Sequence, residues 1–224
     1  MLDTSEAIID RKRRARRITT SLRKLYPDAG CALNFNTPFE LLVSTILSAQ
    51  CTDLMVNKVA PNLLGKFPTP RKLAAATPRT VEKIIHSTGF FRQKTKSLLN
   101  ASKKIVTDFG GEVPDTMEGL LTLPGVARKT ANCVLGTAFG KNEGVVVDTH
   151  VGRLAERLRL TWTGRNSKDA LRIENDLREL FARKDWTYLS HALILHGRQV
   201  CPARKPKCAE CELARNCPST GTLD

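Results

Sequence analysis

The stretch Leu121–His150, LTLPGVARKTANCVLGTAFGKNEGVVVDTH, combines three pieces of different chemistry. A turn, Leu123-Pro124-Gly125-Val126-Ala127, opens directly into a helical pattern that begins with Arg128 and Lys129, and Asp148 follows near the end. Pro124 fixes one turn dihedral and Gly125 lets the backbone come close to a ligand, so the amides of Val126 and Ala127 are expected to point outward at the helix start. Such a start binds anions, because its first amides lack intrahelical partners and the macrodipole adds partial positive charge. Lys129 lies in that first turn beside Arg128, where the dipole and the neighbouring cation both work against another positive charge. An amine that gives up its proton there can attack an electrophilic sugar carbon. The plain alternative is a lysine that merely solvates a helix start, and the turn alone does not choose between the two.

Charge narrows the partner. Lys and Arg outnumber Asp and Glu by 36 to 22, a formal net charge of +14, which calls for a polyanion or an anionic surface. No apolar run approaches the roughly twenty residues of a membrane span, and the opening MLDTSEAIID lacks the basic-then-apolar order of a secretory leader. The expected partner is therefore nucleic acid rather than membrane, and the expected setting is inside the cell, where cysteine clusters mean metal more often than disulfide. The basic run Arg11–Arg17 precedes Ile18, Leu22 and Leu25 at helical spacing and reads as the polar face of one helix.

Helix starts follow one another along the chain. Thr37-Pro38-Phe39-Glu40 combines a cap, a proline at the first helical position and a glutamate that can reach back, launching a helix from Phe39 to Gln50. Thr69-Pro70 and Thr77-Pro78 repeat the device, Asp53 can cap the next segment, and Asp115 to Glu118 reads as a capping box. Gly89 and Gly110-Gly111 supply stops. With further helices expected at 92–109, 128–139, 149–159, 168–182 and 186–198, the count is about eleven and the fold class all-α. Val145–Val147 is the only β-like run and is too short for a sheet.

Two loops and one cluster carry further chemistry. An enzyme that acts on a base must extrude it and fill the gap. Gln50, where that helix is expected to end, offers an amide for the orphaned partner base, and Phe90, between two helices, offers a wedge unless it packs in the core. Cys201, Cys208, Cys211 and Cys217 are spaced C-x6-C-x2-C-x5-C, which marks a metal centre but leaves zinc and an iron-sulfur cluster open. The loop between the first two holds Arg204, Lys205 and Lys207 and reads as a tethered phosphate contact. Cys31, Cys51 and Cys133 read as small buried side chains.

LPGVARKTANCVL followed by VVVDTH resembles the helix-hairpin-helix and catalytic-aspartate signature of the endonuclease III family of DNA glycosylases. The likeness resumes at Phe39–Leu42, Leu47–Gln50, Ile194–Arg198 and the four cysteines, so it spans nearly the whole chain. It implies Lys129 as Schiff-base nucleophile, Asp148 as the assisting carboxylate, Gln50 as the gap filler, and Gly125, Ala127 and Arg128 as the DNA-gripping hairpin. It also implies a 4Fe-4S cluster on the four cysteines. Two positions depart from the family pattern: Ala127 replaces the second hairpin glycine, and Phe90 stands where an aliphatic wedge is common.

The layout implied by the resemblance is discontinuous. A six-helix barrel domain runs over 31–143, a cluster domain is built from 1–30 plus 144–224, and Lys129 and Asp148 face each other across the cleft between them. The implied activity is that of a bifunctional DNA glycosylase and AP lyase. Its implied substrate is double-stranded DNA with damaged pyrimidines or abasic sites, and it is expected to work as a cytoplasmic, nucleoid-associated bacterial monomer. Two other classes compete with this reading: a redox or electron-transfer protein anchored to DNA, and a DNA-binding module without catalysis. The short tail after Cys217 also argues against the extra domain of the related adenine glycosylases.

Overall fold

The computed structural model describes residues 6–164 and 166–222. Among these, eleven α-helices and four short 3-10 turns carry the fold, and no strand occurs. The helices are α1 (Ile8–Leu25), α2 (Pro38–Leu47), α3 (Asp53–Lys66), α4 (Pro70–Ala74), α5 (Pro78–Ile85), α6 (Phe91–Asp108), α7 (Met117–Leu121), α8 (Arg128–Ala138), α9 (Thr149–Arg157), α10 (Ala170–Leu180) and α11 (Trp186–Gln199). The all-α expectation holds. The chain divides into two compact units, Cys31–Lys141 and the pair Met1–Gly30 with Asn142–Asp224.

The Cys31–Lys141 unit contains α2 to α8, two of them only five residues long. Its core is aliphatic: Leu41, Leu42 and Leu47 of α2, Leu63 of α3, Leu73 of α4, Ile85 of α5, Leu98 and Ile105 of α6 and Leu135 of α8 are buried together. The helix starts use local hydroxyls. Thr37 accepts from the Glu40 amide at 3.2 Å, and Glu40 reaches back to the Asn36 amide at 2.7 Å, so the box closes one residue earlier than its usual partner. Thr69 caps α4 through the Lys72 amide.

Four expectations about helix ends need correction. Thr52, not Asp53, caps α3, accepting from Met55, and Asp53 is already the first helical residue. Thr116, not Asp115, caps α7 by accepting from Gly119, because α7 begins at Met117 and Thr116 is the extended residue before it; Asp115 pairs with Lys141 instead. The Thr77 hydroxyl pairs with the Thr80 hydroxyl rather than capping an amide. The helix expected to reach Gln50 stops at Leu47, and Ser48–Gln50 form a turn.

The second unit packs α1, α9, α10 and α11 around Ile18, Leu22, Val151, Leu154, Ile173 and Leu193. Val145 and Val147 are apolar because they are buried in this core, and the Val146 amide between them donates to Ser190 of α11 at 2.9 Å. The basic run is only partly a polar face. Arg13, Arg16 and Arg17 are exposed, but Arg11 is 2% exposed, donates to the Arg159 carbonyl and lies over the Trp162 ring. Arg14 binds Glu6 and the carbonyls of Leu158 and Arg159. Leu25, expected inward, is 37% exposed, since the buried stripe ends at Leu22.

Asp176 of α10 organises the loop before that helix. Buried at 3% exposure, it accepts from the Thr161 hydroxyl, the Trp162 and Thr163 amides and the Thr163 hydroxyl. Asp176→Ala leaves these donors without an acceptor, so it should cost about 2–4 kcal/mol and lower the melting midpoint by roughly 5–10 °C. A thermal melt measures this, and an unchanged midpoint would show that the loop does not depend on the carboxylate.

Candidate active site and cysteine centre

Within the Cys31–Lys141 unit, the turn between α7 and α8 takes its shape from Gly125. Its φ is +83°, and a Cβ there would meet Ser97 Cβ of α6 at 2.6 Å. Glycine is required on both counts, backbone conformation and close approach. The Val126 amide turns inward to the Leu123 carbonyl at 3.1 Å, which corrects the expectation that it faces outward. The outward donors are therefore the Ala127 amide and the first amides of α8. Ala127 caps α8 with φ −98° and ψ 170°, an ordinary extended conformation, so the methyl that replaces a glycine introduces no backbone strain. Lys129 is exposed in the first turn of α8, beside the half-buried Arg128.

Gln50 and Phe90 belong to the same unit. Both are exposed, Phe90 at 65%, so the core alternative for Phe90 does not hold. The packed ring is its neighbour Phe91, whose centroid lies 4.5 Å from that of His86. Gln50 has φ +51° and Phe90 φ +45°, left-handed conformations that residues with a Cβ rarely adopt. Only two other described non-glycine residues share this feature, Arg159 and Lys205, and Lys205 is in the basic loop. Such conformations persist where surrounding structure imposes them, and they concentrate at ligand-contacting loops. Cys31, Cys51 and Cys133, expected to be buried, are only half-buried, and the neighbouring Cys133 thiol and then burial push Cys31 up.

In the second unit, Asp148 caps α9. Its Oδ1 accepts from the amides of His150 and Val151, both at 2.8 Å. Among the described residues no donor reaches Oδ2, so one oxygen holds the helix and the other is left without a protein hydrogen bond. His150 hydrogen-bonds Arg153 at 3.1 Å, in keeping with a packing role. Gly152 keeps α9 in place, because a Cβ there would fall 2.0 Å from the Ser167 carbonyl oxygen.

The other end of α9 grips the cysteine loop through residues that sequence reasoning missed. Arg153 donates to the Cys201 and Gly197 carbonyls. Arg157 donates to Cys201 Sγ at 3.1 Å and to the carbonyls of Pro202 and Ala203. Their four-residue spacing puts both on one helix face, which was the available signal. His196 of α11 is 2% exposed, with Nε2 3.4 Å from Cys211 Sγ and Nδ1 3.1 Å from the Tyr26 hydroxyl. Burial pushes its pKa down to about 4.

Cys201, Cys208, Cys211 and Cys217 line one cavity, together with Leu154, Leu158, Val200 and Leu213. Burial first, then the other three thiols, push Cys211 up. Among the described residues, no three His, Cys, Asp or Glu side chains converge as ligands of one metal ion. The donor set is all-thiol, half-buried, walled by aliphatic side chains and reached by a guanidinium N–H to sulfur, an environment suited to a polynuclear thiolate cluster. Arg204, Lys205 and Lys207 stand exposed on the loop between the first two cysteines.

Gly125→Ala should weaken binding to duplex DNA and lower thermal stability. Adding Ser97→Gly should recover only the part due to the 2.6 Å contact, leaving the cost of the positive φ, about 1–2 kcal/mol. Calorimetry and a fluorescence binding titration on the single and double variants check this, and full recovery in the double variant would show that the backbone conformation is not a constraint.

Residues 43–183 match the family described as HhH-GPD superfamily base excision DNA repair protein. The chain is 56% identical to endonuclease III of Synechocystis sp. over 209 residues, 93% of this chain and 94% of that protein. It is 42% identical to endonuclease III of Bacillus subtilis over 193 residues, 86% of each. Among solved structures, a trapped endonuclease III–DNA covalent intermediate, an estranged-adenine complex, superposes with a TM-score of 0.87 at 36% identity, covering 94% of this chain and 97% of that one. On the hairpin at Gly125, the all-helical fold and these likenesses together, the chain belongs to the endonuclease III family of the HhH-GPD superfamily of base excision DNA repair proteins.

Proposed function

We infer that the chain is a bifunctional DNA glycosylase and AP lyase of base excision repair that acts on oxidised pyrimidines in double-stranded DNA. The observation that carries this reading is the pairing of an exposed Lys129 at a helix start with an Asp148 that keeps one carboxylate oxygen without a protein hydrogen bond, in a chain of this family. The same residues in a plain DNA-binding module would need neither the amine nor that oxygen.

The Lys129 nitrogen bonds to C1′ of the extruded nucleotide as the bond between C1′ and the base breaks, and the base leaves with a proton. Asp148 Oδ2 balances the positive charge that develops on the sugar and takes a proton from the lysine nitrogen. Asp148 returns that proton to O4′ as the sugar ring opens, which leaves a Schiff base between C1′ and Lys129. Loss of a C2′ proton to water then expels the 3′ phosphate by β-elimination, and hydrolysis of the Schiff base releases the enzyme. Gln50 occupies the place of the extruded base opposite its former partner, and Phe90 wedges the stack beside it. The hairpin at Gly125, Ala127 and Arg128 and the basic residues Arg204, Lys205 and Lys207 hold phosphates on either side. This chemistry needs the two units to flank a cleft with Lys129 and Asp148 on opposite walls.

Cys201, Cys208, Cys211 and Cys217 are the proposed ligands of a 4Fe-4S cluster. When bound, it would supply metal-sulfur crosslinks that close the 201–217 segment on itself, while Arg153 and Arg157 of α9 and His196 of α11 hold that segment by hydrogen bonds, a structural duty rather than a redox one. The likeness of the chain to the endonuclease III family supports this choice over zinc. Among the described residues no helix is long and apolar enough to cross a membrane, and the proposed setting is the cytoplasm and its nucleoid.

Borohydride trapping on a duplex with an abasic site tests the enzyme reading. The wild-type chain should give a covalent adduct, Lys129→Gln none, and Asp148→Asn should slow cleavage by about a hundredfold or more. No adduct from wild type would reject lyase activity. Purified protein should be brown and carry about four irons and four labile sulfides per chain. Colourless protein with one zinc would overturn the cofactor, and removal of the cluster should weaken DNA binding before it unfolds the Cys31–Lys141 unit.

A further inference from the structure

Among the described residues Lys94 is the one buried lysine, at 4% exposure, and it takes no part in the chemistry at the sugar. Its ammonium donates to the Leu47 carbonyl at 2.8 Å and to the Thr88 carbonyl at 2.7 Å. Leu47 ends α2, three residues before Gln50, and Thr88 ends the 3-10 turn two residues before Phe90. The Lys94 amide also donates to the Phe90 carbonyl at 3.0 Å, as the first hydrogen bond of α6. One side chain therefore links the roots of two separate loops, and each loop carries an exposed residue held at positive φ.

A lysine is an unfavourable choice for a core position. Burial pushes its pKa down, and an alkyl side chain would fill the space without desolvating a charge. What the ammonium provides is several donors on one atom, enough to bind two carbonyls that come from different helix ends. Strained left-handed residues at loop tips relax unless their roots are held. Here the roots are the two carbonyls on Lys94.

We propose that Lys94 is a positioning residue for base extrusion, clamping the Gln50 and Phe90 loops at the mutual spacing at which the glutamine fills the gap while the aromatic wedges the stack. It touches no DNA and takes no part in the bond changes at the sugar. This rests on the roles assigned above to Gln50 and Phe90, and the test separates the two.

The experiment compares single-turnover rates on two duplexes, one with an oxidised pyrimidine that must be extruded whole and one with a preformed abasic site that has no base to extrude. The iron-loaded proteins are wild type, Lys94→Met, Lys94→Gln, Gln50→Ala and Phe90→Ala. Lys94→Met, which keeps the stem and loses both donors, should slow excision of the lesion by about tenfold or more, the kinetic equivalent of one lost hydrogen bond at the barrier. Cleavage of the abasic duplex should fall by no more than about threefold. Lys94→Gln, which can serve one carbonyl, should give a smaller loss of the same kind, and it carries the test if the Met protein does not fold. A role in folding alone would lower both rates by one factor, through the folded fraction. Equal losses on both substrates, or no loss on either, with Gln50→Ala and Phe90→Ala still selective for the lesion, overturn the clamp alone. If Gln50→Ala and Phe90→Ala show no selectivity, the loop roles themselves fall, and the clamp with them.

Discussion

Helix α9 is the strut on which the chemistry of the second unit depends. Asp148 begins it with Oδ1 bound to two amides, and Arg153 and Arg157 tie its flank and end to the carbonyls and the sulfur of the cysteine loop. The cap that starts the helix also fixes the carboxylate, so a residue proposed for catalysis is held by backbone hydrogen bonds rather than by a flexible side-chain partner. The buried segment Val145–Val147, pinned to Ser190, fixes the direction from which the chain enters that cap. Loosening the cysteine loop therefore acts on the same helix that presents Asp148.

The Cys31–Lys141 unit solves a different problem, which is to hold short loops in conformations they would not choose. Gly125 accepts its conformation without strain but demands that nothing larger stand against Ser97. Gln50 and Phe90 have no such freedom and are held at positive φ by their surroundings. Rigid loops of this kind reduce the entropy lost on binding, so more of the contact energy remains for extruding a base. Ala127 shows the reverse case: its extended conformation tolerates a methyl, so the hairpin works with one glycine.

Local signals were readable from the sequence, and nonlocal ones were not. Thr37-Pro38 and Thr69-Pro70 mark helix starts because cap and proline act within four residues of each other. Asp53 and Asp115 misled by one position, since each has a threonine next to it that caps equally well, and the choice depends on which residue leaves the helical conformation. Arg11 reads as a surface charge until the Arg159 carbonyl and the Trp162 ring, far along the chain, come to it. Lys94 is illegible for the same reason, because its two acceptors belong to separate helix ends and lysine is ordinarily a surface residue. The hairpin, the Asp148 cap and the cysteine spacing stood out because each is a short motif tied to one kind of chemistry. The left-handed conformations of Gln50, Phe90 and Lys205 have no sequence signal at all.

The central claim is that one amine, that of Lys129, becomes covalently joined to the sugar. Peptide mass mapping of the borohydride-reduced protein–DNA complex tests it most directly. A reduced sugar remnant on the nitrogen of Lys129, and on no other amine, is the predicted result. A remnant on another lysine or on the N-terminus would contradict it, whatever the activity of the protein.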